Sequence, residues 1–291
     1  MKLFSYEAVK SKKDTFLSMT SLTVEEFEKL IIPFEQCWRE YAKEKGKVFD
    51  TIEDRLLFIL YYLKTYPLQQ VLAYSFEMSQ GEANKHIHEL SYILKLTLNK
   101  DGFVPPRKSE EILEKLEQEN PQDYAIDGTE RRIIRPTDNN TQNMFYSGKK
   151  GTHTVKNIVI GGIDDYQIKG LTETCEGKKH DKKACDEANI RLPKESHCYC
   201  DSGFQGLNID DVIIHTPKKK PRGGELTEEE KETNRLLASK RIVIEHINAG
   251  IKRCRIVKDV FRNLMANYED VVMELACALH NFRTYHRKNA Y

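Results

Sequence analysis

The hydrophobic pattern of this chain changes its period near residue 122, and that change constrains the fold more than any other feature. Up to about residue 100, apolar side chains recur at helical spacing, as in Leu56, Leu57, Leu60 and Leu63, which predicts amphipathic helices. Beyond residue 122, β-branched segments such as 152–160 are bounded by Gly and Asp, which predicts strands. The sequence therefore predicts an α+β protein with a helical part followed by a mixed α/β part.

The 291 residues are enough for two domains, and a hydrophobic content of 39% is enough for a core in each. We expect an all-α domain over residues 1–100. A linker with a connecting helix follows over residues 101–121, where Pro105 and Pro106 interrupt the pattern. The second domain covers residues 122–291. The net charge is +1, so any nucleic-acid partner must bind to local basic patches rather than to the chain as a whole.

The helical domain has the outline of a helix-turn-helix. A short helix is predicted over residues 68–74, and Ser79 with Glu82 forms a capping box that starts a longer helix ending near residue 98. In such a unit the outer face of the second helix enters the major groove. That face carries four groups able to reach base edges or phosphates: Gln80, Asn84, Lys85 and His88. Helical bundles that never touch DNA share this outline, so a structural role remains the alternative.

The second domain is predicted to contain a five-stranded mixed sheet flanked by helices. The predicted strands start at residue 123 and cover residues 152–160, 167–173, 197–201 and 212–216, and the polar segment 136–151 is predicted to be a loop. A basic helix is expected between the third and fourth strands. Thr227 and Glu230 start a long helix after the fifth strand, and a last amphipathic helix is expected over residues 263–285.

Three acids lie at notable points of this order. Asp127 is on the first strand, Asp201 follows the fourth, and Glu245 is on the long helix. On that helix Arg241, Glu245 and Lys252 are spaced i, i+4 and i+11, so a continuous helix places them on one face. A solvated Arg–Glu pair is the simpler alternative for this stretch. The run of β-branched residues 242–244 would also suit a strand.

Five motifs carry a resemblance to a known family: Tyr124-Ala-Ile-Asp127-Gly-Thr, Gly151-Thr-His-Thr-Val-Lys156, Gly177-Lys-Lys-His-Asp181, Tyr199-Cys-Asp201-Ser-Gly-Phe, and Arg241 with Glu245 and Lys252. Together with the element order, they resemble the RNase-H-like domain of DDE transposases. The likeness is to bacterial insertion-sequence transposases related to the PIF/Harbinger nucleases, and it extends from about residue 23 to the last helix. These enzymes carry a Tyr three residues before the Arg, where this chain has Ala238.

This resemblance implies that Asp127, Asp201 and Glu245 are the catalytic, metal-binding residues. Converging carboxylates repel each other unless cations lie among them, and hard oxygen ligands select Mg²⁺ or Mn²⁺. Two such ions about 3.5–4 Å apart can activate the attacking oxygen and stabilise the leaving oxygen of a phosphodiester. By resemblance, Asp127 would contact both ions, and Asp201 and Glu245 would each hold one.

The resemblance also implies an activity and its partners. A water would hydrolyse the phosphodiester bond at each element end, and the freed 3′-hydroxyl would attack target DNA. The partners would be double-stranded DNA, as terminal inverted repeats and as target, and a second copy of the chain in a dimer or larger assembly. Arg241, Lys252 and Lys156 would contact the DNA backbone, although a solvated surface explains lysine runs as well.

The sequence gives no indication of a membrane protein. Its longest apolar run, residues 56–63, is far shorter than the roughly 20 residues that a membrane-spanning helix needs. The amino terminus does not have the pattern of a signal peptide, and the seven cysteines contain no Cys-x-x-Cys pair. We therefore expect a cytoplasmic protein with reduced thiols, associated with the nucleoid when bound to DNA.

Two other functions remain open at this point. A domesticated or inactive transposase would bind specific DNA sequences without cutting them. An RNase-H-like nuclease acting on RNA or repair intermediates would cut without joining. The roles of His153, His180 and Asp181 are not assigned by the sequence.

Overall fold

The computed structural model describes residues 4–42, 48–119 and 123–288. The chain forms two compact units, one made of Met1–Val104 with Ile251–Tyr291 and the other of Pro105–Gly250. The last segment is therefore grouped with the amino-terminal helices, whereas the sequence-based ranges placed it in the second domain. Those ranges stay a prediction, and the boundary between residues 121 and 122 lies outside the described residues.

The helices are numbered in chain order. They are α1 (Tyr6–Val9), α2 (Lys13–Thr20), α3 (Val24–Tyr41), α4 (Ile52–Thr65), α5 (Gln69–Ser75), α6 (Gln80–Lys100), α7 (Ser109–Glu117), α8 (Asn139–Phe145), α9 (Asp181–Ala188), α10 (Glu228–Ile251), α11 (Arg255–Lys258) and α12 (Tyr268–Lys288). A 3₁₀ turn covers Ser202–Phe204.

The first unit contains the predicted helix-turn-helix as α5 and α6. Ser79 closes the predicted capping box: its hydroxyl accepts from the Glu82 amide at 3.2 Å, and the Glu82 carboxylate accepts from the Ser79 amide at 2.8 Å. Two short helices, α1 and α2, were not predicted, because residues 1–20 show no clear period. Pro33 does not divide α3, which runs on to Tyr41.

The second unit is built on one mixed sheet. Its strands are β1 (Tyr124–Arg132), β2 (Tyr146–Ser147), β3 (Thr152–Gly162), β4 (Ile168–Leu171), β5 (Cys175–Glu176), β6 (His197–Cys200) and β7 (Ile213–His215). The order is β2-β3-β1-β6-β7, and β4 and β5 also pair with β3. β1 is antiparallel to β3 and parallel to β6, and β6 is parallel to β7. The five predicted strands are confirmed, with β2 and β5 as short additions.

The prediction of a loop over residues 136–151 is wrong, because this segment contains α8 and β2. Asp138 caps α8 by accepting from the Thr141 amide at 2.8 Å. None of the residues of α8 is buried, so its sequence carries no apolar period that would have revealed a helix.

Residues 242–244, whose β-branched side chains would also suit a strand, are part of helix α10. Thr227 and Glu230 form the capping box near its start, with amide-to-oxygen distances of 2.9 and 3.2 Å. Val243, Ile244 and Ile247 are buried, and the last two lie against β3 at Gly161. A β-carbon at Gly161 would lie 2.3 Å from Ile247 Cδ1, so the absence of a side chain there lets the helix approach the sheet.

We expect Gly161→Ala to destabilise the second unit by about 1–3 kcal/mol, as overpacking of a filled core does. The new methyl group would collide with Ile247 Cδ1. An added Ile247→Val change removes that carbon, so the double variant should recover most of the loss. Urea denaturation of the parent, the single variant and the double variant measures these differences in stability.

Gly148→Ala is the control, since a β-carbon at Gly148 would meet no heavy atom within 4 Å. Equal stability of the single and double variants would contradict the packing described.

No helix in the parts of the chain that the structure describes is long and apolar enough to cross a membrane. All seven cysteines are free thiols.

Candidate active site

Two of the three predicted acids lie side by side on neighbouring parallel strands, Asp127 inside β1 and Asp201 just beyond the end of β6. β1 and β6 pair in the register Tyr124 with Cys198 and Ile126 with Cys200. The residues that follow this paired stretch are Asp127, where β1 continues, and Asp201, where β6 has ended. Neighbouring strands are about 4.8 Å apart, so these two carboxylates occupy one small region of the sheet edge.

The surroundings of Asp127 hold its carboxylate at both oxygens. Oδ1 accepts from the Gly128 amide at 2.8 Å, and Oδ2 accepts from Asn248 Nδ2 on α10 at 2.8 Å. Burial, followed by the charge of Asp201, raises the pKa of Asp127 to about 6; the charge of Asp181 adds to this rise, and Arg241 opposes it. Burial and the neighbouring acids therefore both disfavour the ionised form of Asp127.

Asp201 is held at the start of the 3₁₀ turn that follows β6. One of its oxygens accepts from the Gly203 amide at 2.7 Å, which fixes the carboxylate just beyond the strand. The half-buried side chain leaves its other oxygen available. A strand end followed by a short polar turn is the position from which side chains are presented to ligands at parallel sheet edges.

Asp181, at the first position of α9, is a third acid at this edge. A β-carbon at Gly128 would lie 2.5 Å from Asp181 Oδ1, and one at Gly203 would lie 3.5 Å from Asp181 Oδ2. The carboxylate thus lies over the glycines that follow Asp127 and Asp201. Its Oδ1 forms an ion pair with Lys156 Nζ at 2.7 Å, and the same ammonium donates to the Lys179 carbonyl at 2.6 Å.

Glu245 lies on the face of α10 that approaches Asp127. Arg241, one turn before it, is close enough to lower the pKa of Asp127, and Asn248, one turn after it, bonds to Asp127 directly. Residues three and four apart share a helix face, so Glu245 lies between these two neighbours of Asp127. Its side chain is exposed and forms no hydrogen bond or ion pair with another described residue.

The donor atoms at this edge fit a hard divalent cation. They are carboxylate oxygens, joined by the Asn248 amide oxygen, which is buried and has no partner among the described residues. As the side chains stand, no three His, Cys, Asp or Glu residues within the described ranges are gathered closely enough to hold a metal ion. Like charges separate without a cation among them, so this spacing is consistent with their chemistry.

The four residues of α6 that were predicted to contact DNA differ in their exposure and in their contacts. Gln80 and Lys85 are exposed, as a recognition face requires. Asn84 Nδ2 donates to Gln69 on α5 at 3.2 Å. His88 is half-buried, its ring packs edge-on against Tyr268 with centroids 4.6 Å apart, and burial lowers its pKa. His88 therefore contributes to packing within the first unit.

The three residues predicted to contact DNA phosphates also differ in their exposure and in their position in the fold. Arg241 is half-buried on α10 near Asp127. Lys156 is 4% exposed, and its ammonium faces Asp181 inside the second unit. Lys252 follows the last residue of α10 and belongs to the first unit, so the helix ends before the predicted i+11 position.

We expect Lys156→Met to lower the free energy of unfolding by about 2–3 kcal/mol. Removal of one partner of a buried ion pair costs about 3–5 kcal/mol, and the Asp181 side chain retains 20% exposure, which reduces that cost. Adding Asp181→Asn should restore part of the loss. Thermal and urea denaturation provide the measurement, with Lys183→Met as control, because Lys183 is 68% exposed and its ion pair is worth little. A loss no greater than that of the control would show that the Lys156–Asp181 pair does not support the fold.

Two residues of this edge, Asn248 and Asp181, were not predicted as site residues. Asn248 follows Glu245 by three residues and shares its helix face, and this spacing is the one signal of it in the sequence. Asp181 belongs to one of the motifs that carry the family resemblance, but its distance from Asp127 in the chain gave no sign that the two lie together.

Comparison with known proteins identifies both halves of the chain. Residues 126–281 match the family model of the DDE superfamily endonuclease, and residues 51–100 match that of the helix-turn-helix of DDE superfamily endonuclease. A curated relative from Microchaete diplosiphon, named probable transposase for insertion sequence element IS702, is 31% identical over 212 residues. This match covers 73% of the chain and 74% of the relative. No solved structure matches the chain.

The endonuclease match includes Asp127, Asp201 and Glu245, and it covers more than half of the chain. The second match covers α4, α5 and α6, the helices that contain the helix-turn-helix. The two matches lie in the order expected from the sequence, with the DNA-binding motif first. The chain therefore belongs to the DDE superfamily of endonucleases.

Proposed function

We propose that this protein is a DNA transposase that cuts the ends of an insertion sequence and joins the freed 3′-hydroxyl to target DNA. The family supplies the endonuclease, and the relative named as a transposase supports transposition as its use. The proposed catalytic and metal-binding residues are Asp127, Asp201 and Glu245. The protein would work in the cytoplasm, on DNA of the nucleoid.

One observation carries this proposal. The parallel register of β1 and β6 leads Asp127 and Asp201 to adjacent positions, and α10 lies with one face on Asp127. Glu245 is the acid on that face. The adjacency of Asp127 and Asp201, with α10 in contact with Asp127, supports the proposal that Glu245 completes a set of three acids, and a polyanionic substrate could be held beside them only with cations present.

The proposed cofactor is Mg²⁺ or Mn²⁺, as two ions, because the donors are carboxylate and amide oxygens. Bound divalent cations supply the positive charge that activates the attacking oxygen and stabilises the leaving oxygen. The side chains have three tasks of their own. Asp127 and Asp201 present fixed oxygens, Glu245 approaches from α10, and Arg241 supplies a guanidinium beside the acids that can contact a phosphate.

DNA binding would begin at the first unit. The helix-turn-helix of α5 and α6 presents Gln80 and Lys85 to solvent, and we propose that they contact the terminal inverted repeats. Transposition brings two element ends together, so a dimer or larger assembly on DNA is expected.

A cleavage assay tests the proposal. The purified chain is incubated with labelled duplexes that carry the inverted repeats flanking its gene, with Mg²⁺, with Mn²⁺, or with a chelator. We expect a nick at the element end that requires the metal and leaves a 3′-hydroxyl, followed by a joined product when target DNA is added.

Other outcomes would identify the other two functions. Retarded migration of the repeats without a nick under any metal would favour a DNA-binding regulator. Cleavage without joining, with RNA or branched DNA preferred over the repeats, would favour a nuclease of another pathway. Either outcome would contradict the proposed transposase.

A further inference from the structure

Asn248 makes a contact that neither its helix nor the core requires. Its side chain is buried, with 7% exposure, and Nδ2 donates to Asp127 Oδ2 at 2.8 Å. Its Oδ1 is buried and has no hydrogen-bond partner among the described residues. Buried polar atoms normally have a partner, so this orphan oxygen requires a separate explanation.

The carboxylate of Asp127 receives one hydrogen bond on each oxygen. Gly128 donates to Oδ1 and Asn248 donates to Oδ2, both at 2.8 Å. An ionised carboxylate has about four lone-pair sites, two on each oxygen. The two protein donors therefore leave roughly one site on each oxygen, so the orientation of the carboxylate is fixed while both oxygens remain able to bind a cation.

We propose that Asn248 is a positioning residue that orients Asp127 for its divalent cations, and that its amide oxygen provides a further hard donor beside that carboxylate. This inference rests on the proposed metal site at Asp127. The amide is planar, so Oδ1 lies next to the nitrogen that bonds Asp127, and amide oxygens are established ligands of hard cations. Groups that orient a metal-binding carboxylate act on affinity through the ligand that they hold.

Packing alone does not account for Asn248. The apolar contacts of α10 with β3 are made by Ile244 and Ile247 at Gly161. A buried Asn inside a helix is intrinsically unfavourable, because its amide competes with the backbone for hydrogen bonds. An apolar residue at this position would avoid an unpartnered oxygen, so the amide is better explained by the acid that it contacts.

Calorimetric titration of the full chain with MnCl₂, without DNA, tests the inference. Asn248→Ala and Asn248→Leu both remove the amide, one with a smaller side chain and one with a side chain of similar shape. We expect both variants to bind Mn²⁺ about 10- to 100-fold more weakly than the parent, as loss of an orienting partner does. The melting temperature of each metal-free variant, measured in parallel, reports on folding.

Ile247→Val is the matched control. It removes one carbon from a fully buried neighbour on the same helix, so it should lower the metal-free melting temperature and leave Mn²⁺ affinity unchanged. A purely structural role for Asn248 would give the same pattern as this control. The expected pattern is the opposite, a loss of affinity that does not follow the loss of stability.

Asp127→Asn distinguishes a failure of the inference about Asn248 from a failure of the proposed metal site. If it abolishes Mn²⁺ binding while both Asn248 variants bind as tightly as the parent, the inference about Asn248 is wrong and the proposed metal site stands. If Asp127→Asn binds Mn²⁺ like the parent, the proposed site is wrong, and the role of Asn248 is rejected with it.

Discussion

Asp127→Asn should bind element-end DNA as well as the parent protein does, and cleave it more slowly by a factor on the order of 10³ or more. The substitution keeps the shape of the side chain but replaces one anionic oxygen by an amide. Asp127 is the acid in contact with α10 and adjacent to Asp201, so the proposed cations would depend on its charge. Cleavage rates under single-turnover conditions and gel-shift affinities provide the two measurements.

Asp210→Asn is the control for this result. Asp210 is exposed in the segment that follows the 3₁₀ turn, and its loss should leave both cleavage and binding unchanged. Cleavage by Asp127→Asn at the parental rate would show that the chemistry lies elsewhere. A fall in DNA affinity equal to the fall in rate would show instead that Asp127 acts in binding.

Glu245→Gln should reduce cleavage by about 10²–10³-fold with little change in stability. Glu245 is exposed and bonded to no described residue, so its loss should alter the free energy of unfolding by less than about 0.5 kcal/mol. Glu232→Gln is the matched control on the same helix, because that exposed acid pairs with Arg235 away from the site. The measurement is again single-turnover cleavage, together with urea denaturation.

A comparison of Glu245→Gln with Asp181→Asn decides which of these two residues is the third acid of the proposed site. Asp181 lies nearer to the other two acids than its place in the sequence suggested, and it is held there by Lys156. If Asp181→Asn abolished cleavage and Glu245→Gln did not, Asp181 would be the third acid of the site. We expect Glu245→Gln to have the larger effect on the cleavage rate and Asp181→Asn to have the larger effect on the free energy of unfolding.

Much of the fold was predictable because strands and helices leave periodic patterns. β3 and α4 are long and strongly apolar, and the capping boxes at Ser79 and Thr227 were visible as residue spacings. The sequence placed Asp127 on the first strand and Asp201 after the fourth, and the parallel pairing of β1 with β6 makes them neighbours, although Asp127 lies inside β1 and not at its end. In contrast, α8 buries none of its residues, so its sequence contained no apolar stripe from which a helix could be predicted.

The details of the site depended on tertiary contacts that one sequence does not encode locally. The ion pair of Lys156 with Asp181 joins β3 to α9 and turns a predicted DNA contact inward. His88 has the spacing of a recognition residue, yet it packs against Tyr268, which lies far along the chain in α12. Asn248 was overlooked because a neutral amide carries no charge pattern, although it shares a helix face with Glu245.

Iron-mediated protein cleavage offers the most direct test of the central claim that Asp127, Asp201 and Glu245 hold the cations. Fe²⁺ replaces Mg²⁺, and with ascorbate and peroxide it generates radicals that cut the backbone beside the bound ion. We expect cuts near residues 127, 201 and 245 that excess Mg²⁺ suppresses and Asp127→Asn abolishes. Cuts confined to other segments, or the same cuts in Asp127→Asn, would contradict it.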